Sequence, residues 1–330
     1  MRDLVKIVAI DEVRPIEGAD SICAYRVGGW WVVDRINAYR VGDKAVYCEI
    51  DSFIPHEIAP FLTKQGQEPK EYNGVKGERL RTVKLRGQVS QGLLLPLSIL
   101  GGRSTDELGI VKYEPPMPTQ LQGEAIGLFP SEVRKTDQER VQNLASTYQL
   151  LVDDSTLFEV TEKLDGTSCT FYLDMDGKFH VCSRNLDLRE SESNVYWKLA
   201  RELDIENKMF DLAMHGDAIQ GEIVGPGIQG NRYKLTKPEF FLFDVFDVST
   251  QAYVLPRKRR RYAGELDVRH VPVYDTYMPV EGAVQDCLDH AEQKSILNPD
   301  TWQEGFVYKA LDGSISFKAI SNRFLLKGGE

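Results

Sequence analysis

Three prolines in four positions, Pro115, Pro116 and Pro118, interrupt this chain of 330 residues. Proline fixes φ and has no N–H, so the run excludes both a helix and a central strand. Two domains are expected at this length. The segment from Tyr113 to Gln120 sets their boundary, giving residues 1–118 and 119–330. The first part reads as short strands separated by turns: residues 5–10, 22–27, 30–36 after a Gly28-Gly29 turn, 44–50, 80–85 and 92–95. Strands of this length suit a small closed barrel.

The second part contains an apolar, alternating strand from Phe158 that runs into Lys163-Leu164-Asp165-Gly166. This presents an amine at a strand end with a carboxylate two residues on. A lysine amine has an ordinary pKa near ~10.4, so about one in a thousand is free base at neutral pH. Using it as a nucleophile on phosphorus therefore requires roughly 4 kcal/mol from its neighbours. Taken alone, the tetrapeptide equally fits a solvated lysine before a tight turn. Several segments follow it. A hairpin over 168–174 and 178–182 leads into Cys182-Ser183-Arg184-Asn185, and Glu222 is a lone carboxylate in the apolar strand 220–225. Residues 240–247 form an aromatic strand, and the strands 304–309 and 315–320 flank an Asp312-Gly313 hairpin turn.

In order and spacing these segments resemble the covalent nucleotidyltransferase superfamily of ATP-dependent DNA and RNA ligases and messenger-RNA capping enzymes. The resemblance runs from about Glu132 to Lys318, and the strings 220–231 and 304–309 are similar to RNA ligases in particular. DNA ligases and capping enzymes carry an OB domain after the last motif. Here twelve residues follow Lys318, too few for a domain, and the barrel precedes the motifs instead. The arrangement resembles the RNA ligase family with an N-terminal OB domain, whose members seal 3′-OH/5′-phosphate nicks in duplexes when the 3′-OH end is RNA. It implies an α+β fold: an N-terminal OB-like β-barrel, then a nucleotidyltransferase ligase domain of ATP-grasp-like antiparallel sheets with helices. A DNA ligase, a GTP-using capping enzyme and a nucleic-acid-binding protein with an inactive ligase core are the alternatives.

The resemblance assigns roles residue by residue. Lys163 becomes the nucleophile that forms lysyl-AMP from ATP. Asp165, Glu222 and Glu304 surround one pocket and hold Mg2+ or Mn2+, lowering the lysine pKa and neutralising the triphosphate; a ribose contact is the alternative for Glu222. The backbone around Glu162 reads the adenine edge, and Phe243 stacks on its face, with Phe246 as the rival. Arg184 contacts sugar or phosphate, and Lys318 grips the α-phosphate. Many relatives have Lys-x-Lys in that last motif, whereas Ser316 and Ile320 flank Lys318 here, so either one cation suffices or Lys327 or Arg323 takes the second role. Arg140 approaches the outer phosphates, the plainer alternative being an arginine on a helix surface.

A net charge of −10 argues against sequence-blind electrostatic coating of nucleic acid. The charge is uneven: residues 1–130 hold 16 Lys and Arg against 17 Asp and Glu, so −9 falls on the remainder. Arg79, Arg81, Lys84 and Arg86 place positive charge on a barrel strand and form a local grip for a duplex. An edge strand guarded by cations is the alternative. The expected partner is a nicked RNA or RNA/DNA duplex, bound by a monomer. Cysteines at 23, 48, 169, 182 and 287 show neither a disulfide framework nor zinc spacing, which points to a cytoplasmic or other reducing compartment. No apolar stretch approaches ~18 residues, so neither a membrane span nor a signal peptide is expected.

Other motifs are set aside. Residues 225–230 fit GxGxxG, but a strand begins ten residues later with Pro238 intervening, leaving no room for the helix of a dinucleotide site. The basic run 257–261 opens a helix, as a nucleic-acid contact or a solvated face. The histidines at 56, 180, 215, 270 and 290 lack ligand spacing, and no GxxxxGK[ST] loop exists.

Overall fold

The computed structural model describes residues 3–115 and 123–327. Pro116, Pro118 and the expected boundary at residue 118 lie outside the described residues. The chain forms two compact units. One comprises Met1–Pro116, Gln142–Ser146 and Leu325–Glu330; the other comprises Met117–Val141 and Thr147–Phe324.

The first unit is built from β1 (Val5–Ala9), β2 (Glu12–Pro15), β3 (Ile22–Val27), β4 (Trp30–Arg35), β5 (Lys44–Cys48), β6 (Ser52–Pro55), β7 (Lys70–Tyr72), β8 (Val75–Arg79), β9 (Val83–Leu85), β10 (Gln88–Ser90), β11 (Leu93–Pro96) and β12 (Val111–Lys112). They pair as β1-β5-β11, β2-β3-β4, β12-β6-β8-β7 and the β9-β10 hairpin. Val5, Val46, Cys48, Ile54, Leu80 and Leu95 share one apolar core. β5 is buried on both faces from Ala45 to Cys48, as its unbroken run of apolar and aromatic residues dictates.

The expected strand over 80–85 is instead broken. β8 stops at Arg79, Leu80 drops into the core while its N–H bonds the Ser52 carbonyl at 2.8 Å, and β9 begins only at Val83. Buried Thr82 accepts from Gln91 Nε2 at 3.2 Å, holding the bend. Burying Leu80 and satisfying Thr82 outweighs continuing an alternating strand.

The second unit holds β13 (Ala125–Leu128), β14 (Glu139–Arg140), β15 (Leu157–Lys163), β16 (Thr167–Leu173), β17 (Phe179–Cys182), β18 (Leu186–Leu188), β19 (Asp217–Val224), β20 (Glu239–Asp247), β21 (Ala252–Tyr253), β22 (Arg269–His270), β23 (Val273–Pro279), β24 (Gly305–Ala310) and β25 (Ser316–Ile320). Two sheets result: β13-β18-β17-β16-β19-β20-β21 with β22 beside β20, and β14-β25-β24-β15-β23. Helix α1 (Ala145–Asp153) precedes β15. The helices α2 (Val195–Glu202), α3 (Ile205–Asp211) and α4 (Pro256–Glu265) contribute Trp197, Met209 and Ala263 to a core shared with Phe171, Phe240 and Leu242 of the larger sheet. Asn194 caps α2 by accepting from the Trp197 N–H at 2.8 Å. Helices α5 (Val284–His290) and α6 (Asn322–Leu326) complete the set.

The basic run lies on α4, but its centre is not a solvated face. Arg259 is 1% exposed, bonded to Glu159 of β15 and to His270 Nε2 at 3.1 Å. Arg260 also bonds Glu159, and Asp244 of β20 pairs with Lys309 of β24 at 2.5 Å. Burial and the Arg259 charge push His270 down to about 3, so the network is cationic without it. All five cysteines are free and buried. Among the described residues no helix is long and apolar enough to cross a membrane.

Candidate active site

The chain changes sheets at the lysine motif. β15 belongs to the smaller sheet and β16 to the larger one, so Leu164, Asp165 and Gly166 make the crossing. A Cβ on Gly166 would lie 2.3 Å from the Ile223 carbonyl oxygen and 2.9 Å from Glu222 Cγ. Only glycine permits this approach, which lets its N–H donate to Glu222 Oε1 at 3.1 Å. Gly305 does the same on the other side. It stands opposite Lys163 in the β15–β24 register, where a Cβ would lie 2.1 Å from the Ala319 oxygen. Glu304, just before it, reaches Lys163 Nζ at 2.7 Å. Two glycines thus draw three strands together around one amine.

The electrostatics follow from that crowding. Burial opposes the Lys163 charge, but Glu304, Glu222 and Asp165 outweigh it and hold the amine above its ordinary value. Burial pushes Glu222 up to about 8, with Glu304 and Asp165 adding to the rise and Lys163 opposing it. Asp165 rises to about 6 for the same reasons, countered by Arg232 and Lys163. Arg232 Nε lies 2.9 Å from Asp165 Oδ2, and Tyr233 accepts the Asp165 N–H at 2.7 Å. Sequence reasoning missed both residues, because nothing local to them marks a partner so distant along the chain.

Beside this cluster Leu164, Val224, Tyr233, Phe241 and Val271 form an apolar wall, with half-buried Phe243 packed against it. The rival Phe246 is fully buried in a different core. The Glu162 N–H donates to the Pro272 carbonyl at 2.9 Å, and Pro272 has no N–H to return. Its carboxylate, buried and raised by that burial, accepts from the N–H groups of Ile296 and Leu297 at 2.8 and 3.3 Å.

The remaining expected residues divide. Lys318 of β25 stands in parallel register with Arg140 of β14 and across from Val307 of β24. Arg140 is 3% exposed on a strand, so it does not occupy a helix surface. Arg184 is exposed and paired with Asp137 at 2.7 Å, and Arg323 pairs with Glu292 and lies over Trp302. In the first unit Arg79 is committed inward, bonded to Asp51 at 2.6 Å and lying over Tyr113. Arg81, Lys84 and Arg86 are exposed on and around the β9–β10 hairpin.

Asp165, Glu222 and Glu304 supply the hard oxygen donors that Mg2+ and Mn2+ take, so the donor chemistry fits such an ion. Among the described residues no three donors converge closely enough to hold one unaided. Waters and substrate phosphate oxygens complete such shells in nucleotide sites.

Comparison with known proteins identifies the family. The RNA ligase family profile matches residues 156–327, and an OB-fold domain profile matches residues 4–97. No curated protein sequence is significantly similar. Among solved structures, a Naegleria gruberi RNA ligase with a glutamate-to-alanine substitution, carrying AMP and Mn, is 40% identical with a TM-score of 0.92, covering 100% of both chains. A lysine-to-alanine form of that ligase with ATP and Mn is 40% identical with a TM-score of 0.91, covering 99% of this chain and 100% of its own. The same ligase with PPi is 41% identical, with a TM-score of 0.91 and 99% of each chain covered. With that likeness spanning both units, the chain belongs to the RNA ligase family.

Proposed function

We propose that this ligase seals 3′-OH/5′-phosphate breaks, above all nicks in duplexes whose 3′-OH end is RNA, through a lysyl-AMP intermediate formed from ATP. One observation carries the reading: the Lys163 amine sits among Asp165, Glu222 and Glu304, 2.7 Å from the last. In the first step Lys163 Nζ loses a proton and bonds the α-phosphorus as the bond to pyrophosphate breaks. An oxygen of the 5′-phosphate then displaces the lysine, forming a diphosphate-linked AMP end. Finally the 3′-OH attacks the activated phosphate, forming the phosphodiester and releasing AMP.

Asp165, Glu222 and Glu304 would hold a Mg2+ or Mn2+ ion, whose charge would neutralise the triphosphate and favour the free amine. Phe243 and the wall around Leu164 offer the adenine a flat apolar face. The Glu162 carbonyl, facing a proline that returns no hydrogen bond, is the acceptor for the base edge. Lys318 and Arg140, side by side on β25 and β14, supply cationic charge for the phosphates, and exposed Arg184 serves the sugar or phosphate.

Residues 119–330 act as the adenylyltransferase domain and 1–118 as the nucleic-acid-binding OB domain, with Arg81, Lys84 and Arg86 as the grip. Arg79, held by Asp51, is left out of that grip. The chain acts as a monomer, since one copy supplies every proposed ATP contact. A reducing compartment suits its five free cysteines.

The test is incubation with labelled ATP or GTP and Mg2+ or Mn2+, followed by sealing of nicks with all four RNA/DNA combinations at the flanking ends. Alkali-stable, acid-labile labelling of lysine by ATP alone, and preference for an RNA 3′-OH, are expected. Labelling by GTP, or equal sealing of all-DNA nicks, would overturn the reading.

A further inference from the structure

The set-aside GxGxxG string runs into a turn with an unusual backbone. Gln229, Asn231 and Lys234 all have positive φ, at 43°, 48° and 55°, a conformation non-glycine residues adopt uncommonly and at a cost. Asn231 pins the turn, donating to the Leu235 carbonyl at 2.9 Å and accepting its N–H at 3.1 Å. The turn presents two consecutive residues to one target. Tyr233 accepts the Asp165 N–H, and Arg232 Nε faces the Asp165 carboxylate at 2.9 Å. The Arg232 guanidinium is fixed from other sides too: it lies 4.5 Å over the Phe324 ring, and Nη1 donates to the Trp302 carbonyl at 3.5 Å. Its own carbonyl accepts from Asn298 Nδ2 at 2.8 Å. A surface arginine needs none of this support.

We propose that Arg232 is a positioning residue: it fixes the Asp165 carboxylate and supplies a resident positive charge that sets how tightly the site takes a divalent cation. The inference rests on the proposed metal role of Asp165, Glu222 and Glu304. With all three ionised, Lys163 and Arg232 leave the cluster one negative charge in excess, and removing Arg232 leaves two. An extra unit of negative charge at this range favours a divalent cation by about ten-fold. Tyr233 shares the aiming and carries no charge, so the two functions separate by residue.

The experiment titrates Mn2+ into full-length, pyrophosphate-deadenylated protein without ATP, read by electron paramagnetic resonance, alongside the rate of lysyl-AMP formation at saturating Mn2+. Arg232→Ala should bind Mn2+ about ten-fold more tightly yet form lysyl-AMP more slowly, because Asp165 is no longer aimed. Arg232→Lys should restore the wild-type Mn2+ affinity. Tyr233→Phe should slow adenylation with the Mn2+ affinity unchanged, and it is the independent test if Arg232→Ala melts early. Glu304→Ala guards the underlying reading and should weaken Mn2+ binding. If it does so while Arg232→Ala and Arg232→Lys both keep wild-type affinity, the resident-charge role is refuted and the metal reading survives. If Glu304→Ala binds Mn2+ normally, the metal reading falls, and this proposal with it.

Discussion

Glu222→Gln should stabilise the unliganded protein at alkaline pH while crippling its chemistry. The Glu222 carboxyl is pushed from its ordinary 4.5 to about 8 by burial and by Glu304 and Asp165. A carboxyl with a raised folded-state pKa binds more protons folded than unfolded. Its contribution is therefore fully present below the unfolded pKa and lost as pH rises through the folded one. Each unit is worth ~1.4 kcal/mol, so the span from 4.5 to about 8 sets a ceiling of about 5 kcal/mol. That value already includes the opposing pull of Lys163, which stays protonated across this range. Glutamine keeps the acceptor for the Gly166 N–H and has no charge to bury. Thermal unfolding of the wild type and the variant, without ATP or metal, should coincide near pH 5. They should separate progressively to pH 9, with the variant higher by roughly 5–15 °C. A gap independent of pH, or a variant less stable than wild type at pH 9, would refute the reasoning. Lysyl-AMP formation by the variant should fall about 100- to 1000-fold.

Lys163→Ala should abolish labelling by ATP yet retain some sealing of a pre-adenylated nick; residual labelling on another residue would remove Lys163 as nucleophile. Adenylation by the wild type should rise with pH through the neutral and alkaline range, because the surrounding carboxylates hold Lys163 protonated and Glu222, pushed up to about 8, still carries its proton at neutrality. A rate profile flat from pH 6 to 9 at saturating metal would contradict that. Arg79→Ala should cost the first unit about 1–3 kcal/mol in denaturant unfolding by removing its ion-paired hydrogen bond to Asp51. Arg81→Glu with Arg86→Glu should instead weaken nick binding and flatten its salt dependence; unchanged affinity and slope would assign those residues to a solvated edge.

What could be read in advance depended on whether the physical cause was local. Glu222 and Glu304 each adjoin a glycine in or at an apolar strand, and Lys163 ends one three residues before Gly166, so the contrast is visible in a few consecutive residues. The strands expected over 22–27 and 30–36 survive as β3 and β4, the latter ending at Arg35, because the Gly28-Gly29 turn and the pattern agree. Over 80–85 the pattern misleads, since whether Leu80 continues a strand or enters the core depends on Ser52 and Gln91 elsewhere. Arg79 and Arg259 failed as surface charges for one shared reason. Each carries a long apolar stem and found a carboxylate far along the chain, half-buried Asp51 in the turn before β6 or buried Glu159 on β15. Arg140 was read beside a possible helix, yet its parallel pairing with β25 comes from the other end of the chain. Arg232 and Tyr233 were invisible because their meaning lies wholly in the turn that aims them.

The five free thiols carry a practical consequence. Burial pushes Cys48 up to about 12 and Cys287 to about 11, and it raises Cys169 and Cys182 as well. A thiol reacts with maleimides as its thiolate, and every sulfur here is also screened from the reagent. The native protein is thus a blank background for site-directed labelling without prior cysteine removal. One cysteine introduced on the exposed β9–β10 hairpin would take a fluorophore selectively and test whether nucleic acid arrives there.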